Sequence, residues 1–517
     1  MFFGFRRPAG CKPPAALRAA KCARRVAGGY LFAEGAAYVH HSYAKRHARA
    51  APPPKCTPTD PEYGERFLEL ARCDAHDSSA SLACARFVRH AFFGTPPEAL
   101  RRGAVTDWLR GHLGDEASEE ATARLELALG PCAPSGDSAG GRGDADVEPP
   151  SFIFGEGPLK AWYKPLPLRA TIEVQRLLAK RRLTEAGFVE HCDPDLQDMS
   201  YWELSGNSSE PPLVVLHGYG RGLASPLFEK LVPEIGRRSI IIVDCPWLLV
   251  TRVPMAGDVT HTPTVREIAL AVSRFLHRRQ AREEQSSAVK EVDLLGHSFG
   301  TAVASALARE LASNSGGSGW EQDQSQDDRD PDVAVRRVVL MDPMCFLPGI
   351  TKQAQLLRRT PRDLAAELVE EAAPGTPEPS FREVIAAVVS RPEPCCHLDD
   401  EVAAANERRR WVIFQTYFFF YFIFRDLVYS WMNLRALRGS EYLDRGHLRS
   451  MNSQGRLLTV LAETDTMIPA PLLRDDLSAE APKESPGGVL WLPTVGHGAC
   501  QHRQDVIERI SEFLAAP

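Results

Sequence analysis

A serine, an aspartate and a histidine, each following a short apolar run, are the residues of this chain best placed to do chemistry. Val292 to Leu295 leads into Gly296-His297-Ser298-Phe299-Gly300, and Ala302, Val303, Ala306 and Leu307 then recur at helical spacing. A strand, a very tight turn and a helix would hold the Ser298 hydroxyl clear of a sheet edge. Gly296 and Gly300 lack the β-carbons that would collide in so sharp a reversal. Ser298 is the candidate nucleophile.

A serine hydroxyl attacks poorly until a base takes its proton. His497, in Gly496-His497-Gly498 after the last apolar run, is the candidate base. His502 ranks behind it, and His297 reads as packing within the turn. The base in turn needs a carboxylate to fix its tautomer. Asp465, in Glu463-Thr464-Asp465, ends another apolar run and is the first candidate; Asp342 and Glu463 stand as alternatives. Attack on a carbonyl creates an oxyanion, which requires donors aimed at its new position. The run 213–216 enters His217-Gly218-Tyr219-Gly220, so the backbone N–H groups of Tyr219 and Phe299 are the candidate donors, with His217 and Gly218 supporting the turn. An ordinary glycine turn is the plainer reading of that motif.

These residues need a frame. Apolar runs at 213–216, 239–243, 291–295, 335–340, 457–461 and 489–492, most apolar on both faces, alternate with helical segments. That pattern predicts an α/β fold with a mostly parallel central sheet covered by helices on both faces. Residues 166–183 read as an approach helix, and 505–514 as a closing one.

Before this main domain, taken as 151–517, the chain is divided by composition. Residues 1–50 carry ten Lys and Arg against one acid, Glu34. This is either an organellar transit leader or a basic, partly helical arm, and nothing in it is long and apolar enough for a signal peptide or a membrane span. Ala51-Pro-Pro-Pro54 is a linker, 51–132 a small helical extension, and 133–150 a flexible joint too polar to fold.

Two insertions interrupt the main domain. Residues 313–332 are Ser, Gly, Gln and Asp rich and are expected to be disordered, while 344–456 is expected to form a large helical cap. Within it, Trp411 to Phe424 is the most apolar stretch, too short to cross a bilayer. It reads either as a buried helix or as a surface for acyl chains or membrane, flanked by Arg408, Arg409, Arg410 and Arg425.

The set His217-Gly-Tyr-Gly220, Gly296-His-Ser-Phe-Gly300, Glu463-Thr-Asp465 and Gly496-His497 resembles the α/β-hydrolase superfamily over about residues 200 to 517. Pro212 to Leu223, Met341-Asp342-Pro343 and the approach from Tyr163 to Leu183 are similar, more narrowly, to lipase-like hydrolases of fungi and algae that carry a helical N-terminal extension. The resemblance implies the triad and oxyanion roles above and, with Ser298 rather than an aspartate in the turn, argues against the epoxide hydrolase and dehalogenase branches.

In a chain of 517 residues a net charge of -6 gives no basis for nucleic acid binding. The 12 cysteines show no metal-ligand spacing, so neither metal nor cofactor is expected, and reduced thiols in an intracellular or organellar setting are the simpler state. Asn207-Ser208-Ser209 fits a glycosylation triplet without a leader to support it. The function expected is hydrolysis of a small-molecule or lipid ester or thioester, with peripheral membrane contact allowed. Acyl transfer on the same triad, or a binding protein that keeps only the fold, are the alternatives.

Overall fold

The computed structural model describes residues 15–50 and, with short internal gaps, 161–346 and 446–516; between 102 and 123 and between 362 and 417 only scattered helical residues are described. Most of the extension, the linker 133–150, the polar insertion beyond Ser315, most of the proposed cap and the Asn207 triplet therefore lie outside the described residues.

Eight strands form one sheet, in the spatial order β1-β2-β4-β3-β5-β6-β7-β8. The six anticipated runs become β3 (Leu213–Leu216), β4 (Ile240–Asp244), β5 (Glu291–His297), β6 (Ala334–Met341), β7 (Leu457–Ala462) and β8 (Gly488–Leu492), mutually parallel along the sheet. Two further strands, β1 (Val189–Cys192) and β2 (Ser200–Leu204), pair antiparallel and close one edge against β4.

Alternation along the strands builds two apolar layers. Val214 and Leu216 of β3 join one, with Ile241, Val243, Leu294 and Leu340; Leu213 and Val215 join the other, with Ile240, Ile242, Leu295 and Val339. Helices α4 (Val265–Glu283) and α5 (Phe299–Ser315) cover the first layer. The second is covered by α2 (Leu166–Glu185), α3 (Pro226–Ile235) and α8 (Gln504–Ala515). Strands buried on both faces must be apolar on both, which is why their runs are continuous. α5 extends through Ser315, so the polar insertion begins three residues later than its composition suggests, after the last helical turn has formed.

Within residues 1–50 runs one long helix, α1 (Ala15–Ala50). Ala44 and Ala48 are fully buried against the main domain, and the Lys45 ammonium donates to the Ala161 carbonyl at 2.5 Å. No helix of the described residues is long and apolar enough to cross a membrane. Between β6 and β7, α6 (His447–Ser453) returns the chain to the sheet, and α7 (Ala470–Glu480) follows β7.

From β3 the chain goes outward to β4 and then returns to the other side of β3 with β5. In an open α/β sheet such a reversal opens a crevice beyond the carboxyl ends of the strands. Gly218 follows β3, Ser298 follows β5, Asp342 follows β6, Asp465 follows β7 and His497 follows β8, so all five lie at that one edge.

Candidate active site

Ser298 occupies the residue between β5 and α5 with φ of 50°, a left-handed conformation that costs a non-glycine residue about 1–2 kcal/mol. The turn is tied down by its backbone. Ser298 N–H donates to the Met341 carbonyl at 2.9 Å, and the Ser298 carbonyl accepts from Thr301 N–H at 2.9 Å and from the Thr301 hydroxyl at 2.6 Å. Close approach explains the flanking glycine: a β-carbon at Gly300 would stand 2.0 Å from the Leu216 carbonyl oxygen of β3. Gly296 is the last β5 residue but one, in register with Leu216.

Ser298 Oγ lies 3.0 Å from His497 Nε2, and His497 Nδ1 lies 2.7 Å from Asp465 Oδ2. Asp465 Oδ1 accepts the backbone N–H groups of Met467 at 2.7 Å and Ile468 at 2.9 Å, which fixes the carboxylate plane. All three residues are almost fully buried. Burial opposes charge on the imidazole, but the adjacent Asp465 carboxylate, helped by Asp342, outweighs it and raises His497 from 6.5 to about 9. Burial likewise pushes the Asp465 carboxyl above its ordinary value, with His497 pulling it back.

The other proposed acids go elsewhere. Asp342, also in the left-handed region at φ 48°, turns Oδ2 toward Gly498 N–H at 2.6 Å and the Cys500 thiol at 3.3 Å. Burial resists its ionisation, yet the His297 ring 3.8 Å away, His497 and the Gly498 N–H hold it below the usual carboxylate range. Glu463 Oε2 accepts Thr494 N–H at 2.7 Å across the neighbouring turn. His502 ends a 3-10 turn, Ala499–His502, and does not join the triad-like set.

His297 is more than packing. Its ring nitrogens face the Gln501 side-chain amide at 2.6 and 3.1 Å, and the Gln501 carbonyl accepts from the Ser225 hydroxyl. Burial lowers its basicity. Ligand atoms of His297, Asp342 and His497 lie within 4.8 Å of one another. Nε2 of His497, however, faces Ser298, and Asp342 Oδ2 already accepts two donors, so these atoms are engaged in proton-carrying contacts.

On the opposite wall, Gly218 leaves no room for a side chain: a β-carbon would meet the His297 ring at 2.8 Å and Ser298 Cβ at 3.0 Å. His217 Nε2 accepts Cys245 N–H at 3.1 Å, so Nδ1 carries the proton and donates to the Gly218 carbonyl at 2.9 Å. Behind it stands buried Asp244, 3.7 Å from Nε2, whose other oxygen receives the Arg176 guanidinium of α2 at 2.8 Å. The Arg176 guanidinium holds the Asp244 carboxyl below its ordinary value against the effect of burial. Gly220 N–H donates to the Leu248 carbonyl at 2.7 Å, which pins the turn carrying Tyr219. Phe299, buried, begins α5.

Arg176, Ser225, Asp244 and Gln501 are site residues that sequence reasoning missed. Asp244 had a signal, a lone carboxylate ending an apolar run; the others had none.

The sequence matches the family model described as the Alpha/beta hydrolase family over residues 213–509. Among curated proteins none matches. Solved structures similar to the chain include a carboxylesterase of the thaumarchaeon Nitrososphaera gargenis, 11% identical, covering 63% of this chain and 98% of that one at a TM-score of 0.33. A membrane phospholipase A named as a bacterial virulence factor is 16% identical, covering 67% and 91% at 0.35. The haloalkane dehalogenase DbeA of Bradyrhizobium elkani is 14% identical, covering 63% and 97% at 0.32. The family match takes in more than half of the chain, including every strand from β3 to β8 and the residues at their carboxyl ends, and the chain belongs to the alpha/beta hydrolase family.

Proposed function

We propose that the protein is a serine hydrolase that cleaves a carboxylic ester or thioester with an apolar acyl part. The observation that carries this is the unbroken relay from Ser298 Oγ to His497 Nε2 at 3.0 Å and from His497 Nδ1 to Asp465 Oδ2 at 2.7 Å. As Ser298 Oγ bonds to the substrate carbonyl carbon, its proton passes to His497 Nε2. The resulting oxyanion is received by the backbone N–H groups of Tyr219 and Phe299; one such donor typically contributes about 2.7–4 kcal/mol to the transition state. His497 then gives the proton to the leaving alcohol or thiol as that bond breaks, and an acyl-enzyme remains. Water repeats the sequence: its proton goes to His497, the new C–O bond forms, and Ser298 recovers its hydrogen as the acid departs. Asp465 stays ionised and holds Nδ1–H in place.

The apolar acyl preference is supported by the aromatic stretch 411–424 within the insertion between β6 and β7. Where it is described, Val412 and Ile413 are buried in the core and Trp411 stacks on Phe414, with ring centroids 5.5 Å apart. Resemblance to lipase-like hydrolases points the same way.

A fluorophosphonate probe should label the wild-type protein and leave Ser298→Ala unlabelled. Turnover of acyl esters of graded length should then favour the longer chains. Wild-type protein that takes no label while correctly folded would favour a binding protein that keeps the fold without the reaction. Labelling without hydrolysis, relieved by an added alcohol, would identify acyl transfer.

A further inference from the structure

Large apolar side chains exposed to solvent are concentrated on two helices, most of them on α1. Of the eleven among the described residues, seven are on α1 and three more on α2. From Val26 to Ala33 every residue of α1 is exposed, with Val26 and Leu31 at 67% and Phe32 at 79%. Further along, Tyr38, Val39 and Tyr43 remain exposed while Ala44 and Ala48 turn inward. A monomeric soluble protein seldom leaves such a surface open without a use for it.

The second half of the helix is anchored to the main domain. Besides Lys45 and the two buried alanines, Tyr163 packs edge-on to Tyr38 and His41, with ring centroids at 5.4 and 5.6 Å. Glu34 accepts the backbone N–H of Leu166 through both carboxylate oxygens, at 3.1 and 3.3 Å, and so caps the start of α2. Tyr163 also donates to the Glu34 backbone carbonyl at 3.5 Å. The only acidic residue of α1 is thus occupied with the protein itself.

The exposed stretch of the helix is apolar, and the sequence on either side of it is cationic. Its sequence holds seven Lys and Arg, four before Val26 and three after Ala44, so the exposed apolar stretch is bracketed by positive charge. It is too polar to span a bilayer. Apolar side chains between cationic flanks are the composition that enters the headgroup boundary of an anionic membrane, where each nearby Lys or Arg contributes about 1 kcal/mol. From this exposure and charge pattern we infer that α1 is a docking element that lays the protein on an anionic lipid surface, with Leu31 and Phe32 entering the boundary. The inference is independent of the reaction at Ser298.

The test is flotation of the full-length chain with vesicles of phosphatidylcholine alone and of an equimolar phosphatidylcholine and phosphatidylserine mixture. Wild-type protein should float with the mixed vesicles and far less with the neutral ones, and about 1 M salt should release it. Leu31→Glu with Phe32→Glu should reduce binding by about tenfold or more. Both positions are exposed, so the thermal unfolding midpoint and hydrolysis of a short soluble ester should match wild type. Failure of the wild-type chain to float with mixed vesicles overturns the proposal, as does equal, salt-insensitive binding to both kinds. A wild-type dimer that the double variant converts to monomer, without vesicle binding, would show that the surface is covered by a second copy.

Discussion

Asp342 Oδ2 accepts the Gly498 N–H at 2.6 Å, which ties the loop carrying His497 to the end of β6 beside the Ser298 turn. The Asp465 carboxylate holds the imidazole ring, and the Asp342 carboxylate holds the backbone that bears it. Removing the second should therefore leave the base present but misplaced.

Asp342→Ala is expected to reduce kcat on the order of a hundredfold, the scale of a displacement of about 1 Å at a reacting group. Asp342→Asn keeps an oxygen for Gly498 N–H and should stay within about tenfold of wild type. The ratio of the two variants, measured by steady-state hydrolysis alongside the rate of fluorophosphonate labelling, checks the positioning role. Equal losses in both would point to charge instead.

His497 acts as a base only when neutral, and its neighbours raise it to about 9. The sign follows directly: kcat/KM should be low at acid pH, rise through neutrality, reach half its maximum near pH 9 and level off only above it. Asp465→Asn removes the group that favours the imidazolium while burial continues to oppose it. Its profile should shift to lower pH, with kcat reduced by about 10⁴. A pH–rate series on both proteins reads the shift.

Two glycines should fail in different ways. Gly300→Ala forces a β-carbon to within 2.0 Å of the Leu216 backbone oxygen, which cannot move without distorting β3. A loss of about 3 kcal/mol or more is expected in denaturant unfolding. Gly218→Ala instead meets the His297 ring and Ser298 Cβ, so it should lower the labelling rate of Ser298 more than the unfolding midpoint.

Far from the site, Asp293 is fully buried between two arginines, with Arg238 at 2.7 Å and Arg336 at 2.6 and 3.0 Å. Asp293→Ala removes the carboxylate shared by these cations at the amino-terminal end of the sheet and leaves the buried Arg238 with the more distant Glu210, at 3.6 Å, as its counter-charge. About 3–5 kcal/mol of stability should be lost. The folded fraction, quantified by active-site titration, should retain its turnover.

The strands that position the site were legible because burial on both faces demands uninterrupted apolar runs, as in Leu213–Leu216 and Leu457–Ala462. The β1–β2 hairpin escaped because Val189-Glu-His-Cys192 lies at the edge and is largely exposed, so its composition obeys a weaker constraint. Ser298 and His497 could be read from local turns and their place after apolar runs. Among the acids the sequence favours Asp465 but leaves Asp342 and Glu463 open, since each ends or follows a strand and only the direction of the side chain separates them. Arg176 and Gln501 were invisible for a further reason: each meets its partner across a long sequence separation, and neither sits in a local pattern that marks it.

The Thr301 hydroxyl donates to the Ser298 carbonyl and accepts the Met344 N–H at 3.0 Å, so the first residues of the long insertion are fastened to the turn that bears the nucleophile. The insertion leaves after β6 and returns before β7, and these strands are neighbours in the sheet. Both of its roots therefore sit on adjacent strands of the frame. The ends of the segment from 344 to 456 are in that sense anchor points: Thr301 holds the first beside the nucleophile, and Leu448 and Met451 of α6, buried in the core, hold the last.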